Sequence, residues 1–204
     1  MSQEDAGPTN SDDSVSWHAY REAEQLTQPE LYPILKNYIE SHPKPKDKTK
    51  RHCAYFILGK LLRHVPQREY LAFFLACLEQ ETDKYILSAM LDRIADLQLP
   101  DDVSVDYIAS LAMHKAWLVR HSAINALGAS FSPEGKKILL YYINQEDTKA
   151  CRFEIVYAIA ALGRIGTKDD IPLLERHVHS RLKDVRESAE FAIERIEKRS
   201  QSKQ

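Results

Sequence analysis

Glycine is scarce in this chain, with six glycines among 204 residues, and stretches in which polar and apolar residues alternate are few. The scarcity of alternation argues against half-buried β-strands. The body of the sequence is instead dominated by Leu, Ala, Ile, Glu, Lys and Arg, whose summed propensities favour helix. The composition therefore predicts an all-α fold.

A strong charge of one sign is also missing, since the formal net charge is -2 and the pI is about 6.5. Nucleic-acid-binding domains usually have a basic face and a high pI, so the composition argues against a nucleic-acid partner. No apolar run approaches the roughly 20 residues that span a bilayer. Residues 1–13 are acidic and polar and do not resemble a signal peptide, so we expect a cytoplasmic protein that does not bind membranes.

Cysteine pairs with metal-binding or redox spacing are absent. The three cysteines, Cys53, Cys77 and Cys151, lie far apart in the sequence. Each one falls inside an apolar helical pattern, which predicts a small buried side chain in a reducing compartment. We expect no metal site and no cofactor.

An internal repeat organises most of the chain. The segment Arg51–Gly59, RHCAYFILG, is closely similar to RHSAINALG at Arg120–Gly128, 69 residues later. Half of that distance is the length of a helix pair, and one small residue recurs at steps of 35, 34, 35 and 31 residues. A small side chain lets two neighbouring helices approach closely. The members of this alanine column are Ala54, Ala89, Ala123, Ala158 and Ala189.

Between these A helices the sequence predicts shorter B helices, most of which start with Pro, Ser or Asp. The total is about eleven helices in five and a half hairpins. We predict a disordered tail at 1–13, an irregular first hairpin at 14–42 and a Pro/Lys linker at 43–50. A repeat array at 51–198 and a tail at 199–204 complete the chain.

The repeats resemble the HEAT-like family, in the short subtype shared with phycobilin lyases. The segments that carry the resemblance are WLVRHSAINALG at 117–128, ALGRIG at 161–166 and DVRESAEFAI at 184–193. The resemblance implies an α-α superhelix, or solenoid, whose B helices line the concave side. It also implies a ladder in which Arg51, Arg120 and Arg186 each pair with an aspartate, for which the candidates are Asp83, Asp147 and Asp184.

Catalytic patterns fail on spacing or residue type, so we expect a non-enzymatic protein. None of the eight histidines precedes a glutamate, whereas the HEAT-like hydroxylase uses His-Glu dipeptides as iron ligands. His177 and His179 are two residues apart on a predicted helix and would point to opposite sides. No Gly-x-Ser-x-Gly motif occurs. An alternative remains, namely a HEAT-like enzyme or enzyme subunit, similar to a bilin lyase or a DNA glycosylase, that uses the same groove.

The leading hypothesis is a module that binds one protein partner on its concave face. Equivalent positions of the B helices form columns across that face, and Tyr and Arg are enriched at protein interfaces. A small single-domain solenoid suits an immunity or inhibitor protein that neutralises a bacterial toxin. The predicted partner-binding residues are Arg68, Asp106, Tyr107, Lys137, Tyr141 and Arg176.

Overall fold

A computed structural model describes residues 15–202 of the chain, apart from the side chains of residues 15 and 16. This part of the chain contains eleven α-helices and no strand, which confirms the all-helical prediction. The same part of the chain also contains two short 3-10 turns, Pro45–Asp47 and Lys168–Asp170. The helices are α1 (Val15–Ala23), α2 (Leu31–Ser41), α3 (Lys48–His64), α4 (Arg68–Gln80), α5 (Lys84–Ala95), α6 (Asp106–Leu111), α7 (Trp117–Leu127), α8 (Pro133–Ile143), α9 (Arg152–Ile165), α10 (Ile171–Glu175) and α11 (Lys183–Gln201).

The chain divides into two compact units, Met1–Leu75 and Ala76–Gln204, and the division falls within α4. The tail predicted at 1–13 lies outside the described residues. The predicted linker at 43–50 includes a 3-10 turn and the first turn of α3. The predicted C-terminal tail from 199 is helical up to Gln201.

In the first unit, α2 packs on α3 around a buried tyrosine. Tyr32 is fully buried and donates its hydroxyl hydrogen to the carbonyl oxygen of Val65, just after α3. Its ring stacks on that of Tyr70, with 4.3 Å between the ring centroids. Burial raises the pKa of Tyr32 to about 12, so its hydroxyl stays protonated and remains a donor.

The second unit has two layers of helices. The A layer consists of α5, α7, α9 and α11. Each of these helices packs on the next A helix. The B layer consists of α6, α8 and α10: α6 and α8 pack on each other and on A helices, and α10 packs on α11. The predicted alternation of A and B helices is therefore present in this unit.

The helices of the A layer are parallel. Arg120 bonds to Glu154 near the starts of α7 and α9, and Arg164 bonds to Asn125 near their ends. Likewise, α9 and α11 are joined at their starts by the ion pair of Arg152 with Asp184 and at their ends by Arg199. For α5 and α7, Ser88 bonds to Ser122, and Leu99 bonds to Ala129 beyond the helix ends. All four A helices consequently begin at one edge of the layer.

Small residues let the A helices approach closely. Four members of the alanine column are buried, and Ala89 is half-buried. A Cβ atom added to Gly163 would lie 2.9 Å from Cβ and 3.0 Å from Cα of Ala192. The glycine that ends the Ala-Leu-Gly motif at 161–163 therefore leaves room for the backbone of α11.

Several predicted helices differ from the observed ones. The B helix predicted at 100–114 is only α6, because residues 101–105 are not helical, and Asp101 and Asp102 precede the helix instead of opening it. The helix predicted at 168–180 ends as α10 at Glu175. The predicted cap of α8 is confirmed, since the Ser132 hydroxyl accepts a hydrogen bond from the amide of Gly135. Within the described residues, none of the helices has the length and apolar character needed to cross a membrane.

Candidate functional site

The predicted partner-binding residues fall in both units. Arg68 is the exposed first residue of α4 and belongs to the first unit. The other five belong to the B layer of the second unit or directly follow it. They are Asp106 and Tyr107 on α6, Lys137 and Tyr141 on α8, and Arg176 after α10.

Within the B layer, the structure brings some of these residues close together. α6 packs on α8, so Tyr107 and Tyr141 lie on neighbouring helices. Arg176 donates a hydrogen bond of 3.1 Å to Oδ1 of Asn144, which directly follows α8. Tyr141 is half exposed, whereas Tyr107 is partly buried. This surface thus offers one well-exposed aromatic side chain with an arginine near its helix end.

A larger group of aromatic side chains lies on the A layer. The side chains of Tyr85, Trp117, Phe153 and Phe191 are all about half exposed or more, and Trp117 reaches 64%. Exposed aromatic residues in a group, unlike scattered ones, mark surfaces that bind other molecules. Tyr85, Trp117 and Phe153 sit in the first turns of α5, α7 and α9, at the edge where the A helices begin.

Two of these aromatic rings, those of Trp117 and Phe153, surround a buried histidine together with the ring of Tyr157. The ring centroid of His121 lies 5.5 Å from that of Trp117, 6.0 Å from that of Phe153 and 5.1 Å from that of Tyr157. His121 is buried, while the three aromatic side chains are exposed to solvent. We call these four residues the aromatic cluster; it spans the contact between α7 and α9.

Beneath the cluster, one carboxylate oxygen collects three donors. Oε1 of Glu154 accepts hydrogen bonds from Nε and Nη2 of Arg120, at 2.9 and 2.7 Å. Nε2 of His121 lies 3.3 Å from the same oxygen. A further nitrogen of Arg120, Nη1, donates to the carbonyl oxygen of His114 before α7. The group therefore joins α7, α9 and the loop that precedes α7.

The electrostatics of this group favour a neutral histidine beside a charged carboxylate. Burial, together with the charge of Arg120, lowers the pKa of His121 more than the neighbouring Glu154 raises it. For Glu154, burial alone would raise the pKa, but the hydrogen bond from Arg120, a backbone hydrogen bond and the interaction with His121 outweigh it and the pKa is lowered. At neutral pH the contact of His121 with Glu154 is thus a hydrogen bond and not an ion pair. The carboxylate is already engaged, so the arrangement braces the helices under the cluster.

The arginine ladder implied by the resemblance is wrong for Arg120 and Arg186. Arg120 pairs with Glu154 and not with an aspartate, and Arg186 donates to the carbonyl oxygen of Ser180. Arg51 likewise donates to the carbonyl oxygens of His42 and Lys44. The shared role of these arginines is to hold the loop that leads into their own helix.

Two of the aspartates proposed for the ladder, Asp147 and Asp184, pair with other residues, and Asp83 caps a helix. Asp83 caps α5 by accepting hydrogen bonds from the amides of Tyr85 and Ile86. Oδ1 of Asp147 lies 2.9 Å from Nδ1 of His177, whose other ring nitrogen lies 2.9 Å from a backbone carbonyl oxygen. Asp184 pairs with Arg152 at 2.7 Å. Each of these carboxylates therefore holds a helix start or a loop.

The cysteines are less buried than predicted. Cys53 is exposed, and Cys77 and Cys151 are half-buried, so the prediction of a buried side chain is wrong for Cys53. In the part of the chain that the structure describes, no group of three or more His, Cys, Asp or Glu side chains is placed to hold a metal ion.

The sequence did not reveal the exposed aromatic residues at the edge of the A layer because they do not share one repeat position. Tyr85, Trp117 and Phe153 stand four, six and five residues before the alanine of their own repeat. A comparison of strictly equivalent positions separates them. The detectable signal was an aromatic residue within the first two positions of three successive A helices.

No protein-family model and no curated protein matches the chain.

Proposed function

We propose that the chain is a HEAT-like α-solenoid that binds another protein and carries out no reaction of its own. Support for the repeat comes from side-chain contacts between residues that are about one helix pair apart in the sequence. Ser88 bonds to Ser122 and Arg120 to Glu154, each 34 residues apart in the sequence. Arg164 and Arg199, 35 residues apart, donate to the carbonyl oxygens at the end of the preceding A helix. Such nearest-neighbour contacts are typical of stacked repeats.

The observation that carries the binding proposal is the aromatic cluster. Trp117, Phe153 and Tyr157 are exposed in one connected group, although each has a large apolar area that burial would stabilise. The hydrogen bonds from Arg120 and His121 to Glu154 hold the group in place before any partner arrives. A preorganised aromatic surface loses little conformational freedom on binding, which suits a protein interface.

The B-layer surface that the sequence predicted is the second candidate interface. It contains Tyr141 and Arg176, which combine contact area with hydrogen-bond donors. The two surfaces belong to different layers, so variants can separate them. A toxin-neutralising inhibitor remains the specific form of partner binding that the sequence suggests.

Affinity capture with matched variants tests the proposal. The tagged chain is compared with a double variant in the A layer, Trp117→Ala with Phe153→Ala, and with one in the B layer, Tyr141→Ala with Arg176→Ala. All four side chains are exposed, so each double variant should fold normally. Circular dichroism and thermal unfolding of each variant check this.

We expect one protein to be enriched by the wild-type chain and by the B-layer variant, and lost from the A-layer variant. Loss from the B-layer variant alone would move the interface to the predicted B-layer residues. If no protein depends on either pair of residues, the binding proposal is wrong. Turnover of any substrate by the purified chain would instead favour the enzyme alternative.

A further inference from the structure

The edge at which the A helices begin carries cations as well as aromatic rings. Each of these four helices has an exposed Lys or Arg at its first residue or within the three residues before it. In each helix one such cation forms no ion pair within the described residues, whereas Lys183, the first residue of α11, pairs with Glu187 at 3.5 Å. These four cations are Lys84, Lys115, Lys149 and Arg181.

The carboxylates of the same edge are mostly occupied. Asp83 caps α5, Asp147 lies against His177, and Asp184 pairs with Arg152. Between the end of each preceding helix and the first turn of the A helix, Glu146 is the one exposed carboxylate in these described segments. The first turns of α7, α9 and α11 have no side-chain cap, so their amide groups add positive partial charge. The edge is therefore locally basic in a chain whose net charge is -2.

The spacing of the edge fits one kind of extended chain. Packed helices lie about 8–10 Å apart, so the cations of successive A helices should repeat at about that distance. A polyproline II segment has three residues per turn and rises about 3.1 Å per residue, so every third side chain falls on one face about 9 Å further along. Polyproline II segments also dock against aromatic-lined grooves.

We propose that this edge binds an extended acidic segment of the partner protein, with a carboxylate at every third residue. The proposal rests on the proposed function and specifies the chemistry of the partner. The carboxylates meet the cations that open successive A helices. The residues between them contact Tyr85, Trp117 and Phe153, which lie beside those cations in α5, α7 and α9.

The charge pattern favours an acidic protein segment over a nucleic acid. Nucleic-acid binding draws its affinity from many phosphate contacts, and four separate cations would neutralise few phosphates. In addition, cations of the chain itself cover one face of the Phe153 ring and one face of the Tyr85 ring. The guanidinium carbon of Arg152 lies 4.6 Å from the ring centroid of Phe153, and Nζ of Lys84 lies 5.1 Å from that of Tyr85. Stacking of bases on both faces of these rings is therefore blocked.

Tryptophan fluorescence offers a direct test. The chain has two tryptophans, so Trp17→Phe leaves Trp117 as the only reporter, at the centre of the edge. The probe is a peptide of about four Glu-Pro-Pro repeats, in which every third residue is acidic. Three controls accompany it: a Lys-Pro-Pro peptide, a peptide of the same composition with its glutamates adjacent, and oligo-dT.

We expect the Glu-Pro-Pro peptide to change the Trp117 emission in a saturable way that added salt weakens. Reversal of two edge cations, Lys115→Glu with Lys149→Glu, should weaken binding about tenfold or more. The matched reversal Lys168→Glu, on an exposed residue of the Lys168–Asp170 turn, should leave it unchanged.

Three results would overturn the proposal. Equal binding of the Lys-Pro-Pro peptide would show that charge plays no role. Equal binding of the peptide with adjacent glutamates would show that their spacing plays no role. Tighter binding of oligo-dT would assign the edge to nucleic acid. Failure of the Glu-Pro-Pro peptide, while capture of a protein still depends on Trp117 and Phe153, would reject the acidic segment and leave the proposed function standing.

Discussion

Arg120 of α7 donates two hydrogen bonds to a single oxygen of Glu154, on the next A helix of the same layer. The pair lies under the aromatic cluster, with side-chain exposures of 25% and 10%. The same carboxylate oxygen also faces His121. One interaction therefore joins two helices and supports the surface that we propose for binding.

Removal of the charge on Glu154 should destabilise the second unit. Glu154→Gln leaves the Arg120 guanidinium partly buried without its counter-charge, and we expect a loss of about 2–4 kcal/mol in the free energy of unfolding. Chemical denaturation followed by circular dichroism measures it. The matched control is Glu194→Gln, which breaks the exposed contact of Glu194 with Lys198 and should cost less than about 0.5 kcal/mol. Equal losses in the two variants would contradict a bracing role for Glu154.

Acid should destabilise the chain partly through His121. Because its pKa is lower in the folded than in the unfolded chain, the unfolded chain binds the proton first as the pH falls below about 6.5. Stability is therefore lost between neutral pH and the folded pKa. Glu154, whose folded pKa is also lowered, adds a loss only below its unfolded pKa of about 4.5.

The variant His121→Gln isolates the first of these two effects. Its amide can still donate to Glu154 but does not titrate, so its free energy of unfolding should fall less between about pH 7 and pH 5 than that of the wild type. The measurement is urea denaturation at the two pH values. An identical fall in both proteins would show that His121 does not contribute.

The glycine of the Ala-Leu-Gly motif should be required for the contact of α9 with α11. Gly163→Ala places a methyl group against the backbone of Ala192, and we expect destabilisation of about 1–3 kcal/mol despite the better helix propensity of alanine. The second change Ala192→Gly removes the opposing Cβ and should restore part of the loss. If Gly163→Ala leaves the thermal unfolding temperature unchanged, α9 and α11 do not depend on the close approach at Gly163.

The end of α11 should contribute to stability through Arg199. Its guanidinium donates hydrogen bonds to the carbonyl oxygens of Gly163 and Arg164, at 3.0 and 2.6 Å, where α9 ends. Arg199→Gln should therefore lower the free energy of unfolding by about 1–3 kcal/mol. The exposed Arg195 provides the control, since Arg195→Gln should change stability by less than about 0.5 kcal/mol. A larger effect at Arg195 would contradict the assignment.

The sequence was most informative where one residue type recurs at one position. The alanine column and the glycine at the end of α9 depend on backbone geometry that repeats, so periodic spacing predicts them, whereas the serine cap of α8 follows from the local preference of helix starts for serine. Partners of charged residues were predicted less well. Long side chains such as Arg120 can reach several acidic groups on or near a neighbouring helix. The packing of the helices determines that Arg120 pairs with Glu154 and not with Asp147.

Short B helices and surface aromatic residues were harder to predict for a different reason. Residues 101–105 have helix-opening carboxylates, but the chain turns there before α6 begins. The aromatic residues of the A-layer edge vary in repeat position because the solvent face of a helix imposes no exact register. Their common location at one edge becomes visible only when the parallel packing of the A helices is known.

Footprinting of the complex with the captured protein tests the binding surface most directly. Hydroxyl radicals oxidise exposed aromatic side chains, and mass spectrometry measures the oxidation of each one with and without the partner. We expect the partner to protect Trp117 and Phe153, while Tyr141 on α8 is oxidised equally in both states. Protection of Tyr141 with unchanged oxidation of Trp117 and Phe153 would contradict binding at the aromatic cluster.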